Sequence, residues 1–341
     1  MITFPEANTI SSGRYTWQGK RVLVTGGAGF VGSYLVEDLV ALGAKVRVAD
    51  NLSEGTLDNL ADVSDQVEFC QVDLREREAT LATAQDCDVV MHLAAKAYGM
   101  QFSMQHNYEV LRDNTLMAIQ VLDACVEHGV ERALMVSSSC VYDDDAPIPT
   151  RELPVHLGLP ESVNEGYGWG KRMLEVQAGY ASMQHGLPVA IVRPFNAFGG
   201  RYRWHGEASH VVPSLVKKVL DQNGPVVIWG SGEQVRDLLH ARDFALGFRL
   251  AAECATDCEP VNLAGGTTVR LTDLALRIAE AAGIGIELEY DLKKQEGRRH
   301  KEADLTKLNT DIPAFHQTVS LDMGIEDMIE WDRRQRSTGV Y

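Results

Sequence analysis

No stretch of the chain is long and apolar enough to read as a membrane span. The opening residues, MITFPEANTISSGRYTWQGK, also lack the apolar core of a secretory leader, so the expected compartment is the cytoplasm. Positive charge is scarce: 32 Lys and Arg stand against 48 Asp and Glu, a net charge of −16, which argues against nucleic acid or an anionic membrane as a partner. An anionic substrate would therefore need a local pocket of arginines or lysines. The six cysteines (70, 87, 125, 140, 254 and 258) sit mostly inside strand or helix patterns and read as reduced. Cys254 and Cys258 lie four apart with no His/Cys cluster beside them, so no metal site is expected. Internal repeats and low-complexity segments are absent. What remains is 341 residues at 45% hydrophobic content, enough for one large or two moderate domains with a real core.

The most informative stretch is Arg21 to Asp50, RVLVTGGAGFVGSYLVEDLVALGAKVRVAD. Arg21–Thr25 is a short β-branched run and reads as a buried strand. Gly26, Gly29 and Gly32 follow at G-x-x-G-x-x-G spacing. A helix from about Ser33 carries Leu35, Val36, Leu39 and Val40 on one face and stops at Gly43. A second strand, Lys45–Ala49, ends at Asp50. In such a βαβ unit Gly26 permits the tight turn and Gly29 lets a pyrophosphate approach the helix N-terminus. Gly32 lets helix and strand pack closely. A carboxylate at Asp50 can bind both ribose hydroxyls of NAD, and it would repel a 2′-phosphate.

The alternation continues. Strands are expected at Val67–Val72, Val89–Ala94, Ala133–Val136 and Val189–Val192. Helices are expected at about Arg75–Ala84, Tyr108–Glu127 and Gly166–His185. The apolar stripe of the second of these is read at Leu111, Thr115, Ile119, Leu122 and Cys125. This pattern predicts an α/β fold, a Rossmann-type doubly wound parallel sheet. After Arg193 the rhythm changes. A loop rich in Gly, Arg and aromatics (Gly199–Ser209) leads into helices near Pro213–Leu220, Arg242–Glu253 and Leu271–Ala282, with strands at Val226–Trp229, Val261–Ala264 and Ile286–Tyr290. These read as a smaller α/β C-terminal substrate domain. The division expected is 18–195 for the dinucleotide, with a return at about 226–255, and 196–225 plus 256–341 for the substrate.

Chemistry concentrates on Tyr167 and Lys171, four apart on one helix face, and on Ser138 at a strand end, where α/β sheets put their ligands. An ammonium beside a phenol lowers its pKa, and a serine hydroxyl can hold the oxygen that the phenol deprotonates. Together they predict an alcohol–ketone redox centre.

With these pieces in place the chain resembles the extended short-chain dehydrogenase/reductase family, the NAD-dependent sugar-nucleotide epimerases and dehydratases. The matching segments occur in the family's order over about residues 20–310. They are TGGAGFVG (25–32), Asp50-Asn51, Asp73-Leu74, HLAA (92–95), SSSCVY (137–142), YGWGK (167–171), RPFNAFG (193–199) and WGSGEQVRDLLHARD (229–243). The resemblance implies a tightly held NAD(P) touching Gly26, Gly29, Phe30, Val31, Gly32, Asp50, Asn51, Asp73, Leu74, Leu93, Ala94 and Ala95, besides Tyr167 and Lys171. It implies a nucleotide-diphosphate sugar with Ser139 and Asn196 beside it, and a homodimer formed through the helices near 108–127 and 166–185.

The 4,6-dehydratases carry an Asp-Glu pair immediately after the position of Ser138. Here Ser139-Cys140 stands there, which argues against a dehydratase. Ser-Ser-Cys, an aliphatic residue and Tyr is similar to GDP-fucose synthases and GDP-mannose 3,5-epimerases, in which that cysteine is an acid–base group at a sugar carbon. A thiol with a pKa of about 8.5, shifted by neighbours, suits proton exchange next to a ketone. SHVVPSLVKK (209–218) is similar to the fucose synthase segment whose histidine pairs with the cysteine, so His210 takes that role and Lys218 contacts phosphate. The lysine that the mannose epimerases use in this region is absent. The resemblance puts Arg236 at the diphosphate and a late arginine, Arg298 or Arg299, with it; Trp229 reads either as a wall of the base pocket or as an aromatic strand end, and Lys217 reads as solvated charge. The expected activity is an NAD-dependent epimerisation of a nucleotide sugar, GDP-linked by preference, with transient oxidation at C4 and proton exchange at C3 and C5. The alternatives are a GDP-fucose-synthase-like epimerase–reductase using NADPH, a simple 4-epimerase, and a non-catalytic NAD-binding scaffold, the last disfavoured by the intact Tyr-Lys pair.

Overall fold

The computed structural model describes residue 4 and residues 9–202, 209–221 and 223–337. Most of the expected 199–209 loop lies outside that range. The first βαβ unit forms as read: β1 (Arg21–Thr25), α1 (Phe30–Ala41) and β2 (Lys45–Asp50), with the helix starting three residues earlier than expected. Then come β3 (Val67–Gln71), α2 (Arg77–Ala84), β4 (Val89–His92), a short α3 (Met100–Gln105), α4 (Asn107–His128), β5 (Arg132–Val136), α5 (Glu165–His185) and β6 (Val189–Pro194).

The chain continues through β7 (Asn196–Phe198), α6 (Val211–Asp221), β8 (Val226–Trp229), β9 (Val235–His240), α7 (Ala241–Cys254) and β10 (Val261–Leu263). It ends with β11 (Thr268–Arg270), α8 (Leu271–Ala282), β12 (Leu288–Asp291), β13 (His300–Lys301), α9 (Thr306–Asp311) and α10 (Leu321–Ser337).

Seven strands form one sheet in the order β10-β6-β5-β4-β1-β2-β3, and every neighbouring pair is parallel. The direction of winding reverses between β1 and β4, and ligands of such sheets bind outside the strand ends at that reversal. Alternation along each strand sorts the core into two layers. Val22, Val24, Val46 and Val48 pack with Leu35 and Leu39 of α1 and Phe244 and Phe248 of α7. Leu23, Val90, Ala133 and Met135 pack on the other face with Val121 and Leu122 of α4 and Leu174 and Ala178 of α5.

A second body is built from β9 with β7, β11 and β13, from the β8–β12 pair, and from α6, α8 and α10. Its core holds Leu215, Val216, Val219, Leu274, Ile278 and Met328. The return to the large sheet starts later than the expected 226–255 and runs on past its end. Only α7 and β10 make it, because β8 and β9 find partners in the smaller sheets. The buried face of α4 keeps Leu122 and Cys125 of the expected stripe but not Leu111, Thr115 or Ile119. Val110, Asn114, Met117, Ala118 and Val121 point inward and Ile119 is exposed, because Asp113 and Asn114 are buried by polar partners that a hydrophobic pattern does not register. All six cysteines are free, and no described helix is long and apolar enough to cross a membrane.

Candidate active site

A cleft of about 780 Å³ runs from the glycine turn to Trp229, a size in the range of small-molecule sites. At one end β1 passes into α1. Gly26 has φ +70°, and a Cβ there would sit 2.9 Å from the Ala94 backbone. A Cβ on Gly32 would sit 2.1 Å from the Gly26 carbonyl, so helix and turn touch backbone to backbone. The N-cap of α1, Gly29, supplies no side-chain hydrogen bond and the first turn holds no acid, which leaves the helix N-terminus open to an anion. Asp50 is buried at the end of β2, and its carboxylate accepts from the Ala28 and Leu52 amides at 3.1 and 2.9 Å. Phe30, Val31, Asn51, Asp73, Leu74, Leu93, Ala94 and Ala95 line the same end. Asp73 does so while held by Arg75. This cradle fits a dinucleotide.

Beyond it, β5 ends and the chain turns. Ser138 is extended, and its hydroxyl accepts from the Cys140 amide at 3.1 Å, which folds 139–141 into one helical turn. Ser138 and Tyr167 both line the cleft. Lys171 donates to the Val136 carbonyl at 2.7 Å, with its ammonium 5.6 Å from the centre of the Tyr167 ring. Beneath them, Ser137 donates to Glu175 at 2.5 Å. Glu175 pairs with the buried Arg193 at 2.7 Å, and Arg193 reaches Tyr142 at 3.0 Å. This chain of bonds fixes the base of α5 against β5 and β6.

The expectation that Lys171 lowers the Tyr167 pKa is not met in the protein alone. Burial raises the phenol and drops Lys171 to about 8. The thiol of Cys140 also departs from its ordinary value. Burial, followed by the charge of Glu161, pushes it up to about 12.

The remaining predicted residues come from separate elements. His210 precedes α6 and, exposed, opens to the cleft. Ser139, Asn196, Lys218, Trp229 and Arg236 also line the cleft. Lys218 donates to the Val227 carbonyl at 2.7 Å and sits 5.9 Å from the Trp229 ring centre. Arg298 does not join them. It is buried, donates to the Ala146 carbonyl and the Thr150 hydroxyl at 2.7 and 3.0 Å, and braces the 146–150 loop.

Sequence reasoning missed Glu161 and Lys301, which line the cleft as a buried ion pair at 2.6 Å. Glu161 follows a proline in an acidic loop that reads as solvated, and Lys301 lies 140 residues away, so neither carries a local signal. It also missed Gln234, whose carbonyl oxygen, like that of Asn196, is buried without a partner among the described residues.

The family follows from comparison. Residues 22–264 match the model described as "NAD dependent epimerase/dehydratase family". The chain belongs to that family. Among curated relatives of this epimerase/dehydratase, the GDP-L-fucose synthase of Dictyostelium discoideum is 28% identical over 323 residues, covering 93% of this chain and 96% of that one. The crystal structure of UDP-glucose 4-epimerase from Thermotoga maritima with UDP-glucose aligns with TM-score 0.84 at 27% identity, covering 93% and 99%. The Thermus thermophilus UDP-glucose 4-epimerase in complex with NAD aligns with TM-score 0.80 at 28% identity, covering 92% and 99%. Membership makes the chain an enzyme type built around a nicotinamide dinucleotide.

Proposed function

We propose that the protein is an NAD-dependent nucleotide-sugar epimerase that acts through transient oxidation at C4 and proton exchange at C3 and C5. The observation that carries this reading is the shared cleft: a Tyr-Ser-Lys redox set and two carbon acid–base candidates, Cys140 and His210, all line it. The nicotinamide supplies the hydride acceptor and donor. Tyr167 takes the hydroxyl proton while Ser138 holds the same oxygen. The ketone acidifies the flanking C–H bonds, and Cys140 and His210 exchange protons there.

Preference for NAD over NADP rests on Asp50, whose buried carboxylate would face the extra phosphate of NADP. The nucleotide-sugar class is supported by the named relatives, and Arg236, Lys218 and Asn196 suit its diphosphate. A GDP-linked substrate is the first choice because SSSCVY and SHVVPSLVKK resemble segments of GDP-fucose synthases, one of which is 28% identical to this chain. That same relative favours the second reading, an epimerase–reductase. We assign the dinucleotide to 18–195 with α7 and β10, and the sugar nucleotide to 196–240 and 264–341. A cytoplasmic setting accords with six free cysteines. A homodimer accords with exposed Tyr108, Val176, Tyr180 and Met183 on α4 and α5.

The deciding experiment is a screen of GDP-, UDP- and dTDP-sugars in heavy water, read by NMR without added cofactor. Deuterium at C3 and C5 with the sugar redox state unchanged supports the epimerase. Turnover only with added NADPH overturns it in favour of the reductase. Inversion at C4 without any C3 or C5 exchange makes Cys140 a bystander.

A further inference from the structure

The turn at 199–202, which follows β7, is bolted on two sides. On one side the Gly200 amide donates to Asp327 of α10 at 2.6 Å, and His240 Nε2 meets the same carboxylate at 3.2 Å. On the other side Arg201 reaches α1. Its Nη2 donates to Glu37 at 2.6 Å and its Nη1 to the Ser33 hydroxyl at 3.3 Å, and the guanidinium carbon lies 4.2 Å from the centre of the Tyr34 ring. Ser33 in turn donates to the Phe30 carbonyl at 3.2 Å. The next residue, Tyr202, meets the Phe30 ring edge-on, with centroids 5.1 Å apart. Phe30, Arg201 and Tyr202 all line the cleft.

Two features of this tie ask for a reason. Arg201 has φ +63°, a left-handed conformation that a residue with a Cβ adopts at a cost, so contacts on either side must hold it there. The ion pair is also more than a surface contact, since the Arg201 and Glu37 side chains are only 14% and 19% exposed. Its position is informative. Helix α1 begins at Phe30, with the open amides that suit a pyrophosphate, and Ser33 and Glu37 lie one and two turns below that end. Arg201 therefore fastens the sugar-end body to the helix that receives the cofactor, and the Phe30–Tyr202 contact spans the two.

We propose that Arg201 and Glu37 form a latch on the dinucleotide. Their pairing holds Tyr202 against Phe30 across the mouth of the pyrophosphate cradle, so bound NAD leaves only when the pair opens. This rests on the reading of the glycine cradle as a dinucleotide site and is independent of which sugar reaction follows. Arg201 and Glu37 are positioning residues, acting through Tyr202 and Phe30. A latch controls passage and adds no contact to the phosphates. Its loss therefore speeds departure and does not slow arrival, whereas loss of a phosphate contact weakens binding without opening a path.

The test uses the full chain loaded with radiolabelled NAD and chased with excess unlabelled NAD, with no sugar present. In Glu37→Gln and Arg201→Gly the label should leave about ten- to a hundredfold faster than in the parent, the scale of one charge-assisted hydrogen bond. Uptake of NAD by the stripped variants should be as fast as in the parent or faster. Arg201→Lys keeps a charge for Glu37 but loses the fork that also reaches Ser33, so its release rate should fall between. Release at the parental rate in Glu37→Gln overturns the latch. Faster release with slowed uptake overturns it too, since that marks a damaged cradle. If Arg201→Gly does not fold, Glu37→Gln, at an ordinary helical position, decides alone. A parent that carries no nicotinamide nucleotide and takes up none sinks the dinucleotide reading. A parent that holds NAD, with variants releasing it at the same rate, sinks the latch alone.

Discussion

At the dinucleotide end of the cleft, Gly26, Gly29, Gly32 and Asp50 come from one continuous βαβ unit. At the sugar end, Cys140, Glu161, His210, Arg236 and Lys301 come from five separate segments that meet only in the folded chain. The first end is specified by backbone geometry, where a missing Cβ is the functional group. The second is specified by paired charges in a buried setting. The two therefore differ in how they fail: a local substitution breaks the first, whereas the second fails when either member of a distant pair is lost.

The largest effect should come from Gly32→Ala. A Cβ 2.1 Å from a backbone carbonyl has no flexible neighbour to displace, so the glycine turn must open. We expect purified protein without bound nicotinamide nucleotide, scored by absorbance of the denatured supernatant. Normal cofactor content would break the comparison at its first term.

Next is Tyr167→Phe, at the seam between the halves. Loss of the proton acceptor should lower turnover about 10²–10⁴-fold, while cofactor content stays that of the parent. Reduction of bound NAD by substrate would report it, and near-parental reduction would remove Tyr167 from the reaction.

Arg236→Gln should act on the sugar end alone. Loss of one buried charge-assisted contact, worth about 1.5–3 kcal/mol, should raise KM for the nucleotide sugar roughly ten- to a hundredfold with kcat little changed. A fall in kcat with KM unchanged would place Arg236 with the reacting groups instead.

The smallest effect concerns acid stability. Glu161 has its folded pKa depressed to about 2 from an ordinary 4.5, so its stabilisation is complete above pH 4.5 and is lost as pH falls toward 2. At about 1.4 kcal/mol per unit this amounts to a few kcal/mol at most. Urea midpoints between pH 5 and 2.5 should fall less steeply in Glu161→Gln than in the parent, and equal slopes would show that the carboxylate titrates normally.

How far the sequence was legible follows the same divide. Strand alternation, glycine spacing and the acid at the end of β2 are local, so the large sheet and the cofactor end were readable almost residue by residue. Tyr167, Lys171 and Ser138 were readable as a set, but their ionisation was not, since burial rather than proximity governs Tyr167 and Lys171. Strand β9 went unread because VRDLLH places Arg236 and Asp237 inside a buried strand. Arg236 lines the cleft there, and Asp237 accepts the Gly265 and Gly266 amides. Arg298 looked like a substrate contact because related enzymes carry a late arginine there, yet two partners in the 146–150 loop hold it away. Glu161 and Lys301 were invisible because no periodicity links residues so far apart.

The Glu161–Lys301 pair also bears on the order in which the protein is made. Domains form from the N-terminus during synthesis, and β1 to β6 are all translated before residue 200. Lys301 leaves the ribosome about a hundred residues later. Until then Glu161 has no counter-ion, and burying its lone carboxylate beside Cys140 is unfavourable. Strands β1 to β6 can therefore pair early while the 143–163 loop stays open, with α7 and β10 joining the large sheet later. Glu161 gains its counter-ion only as β13 arrives, so a chain ending before β13 can pair β1 to β6 but leaves that carboxylate without its lysine.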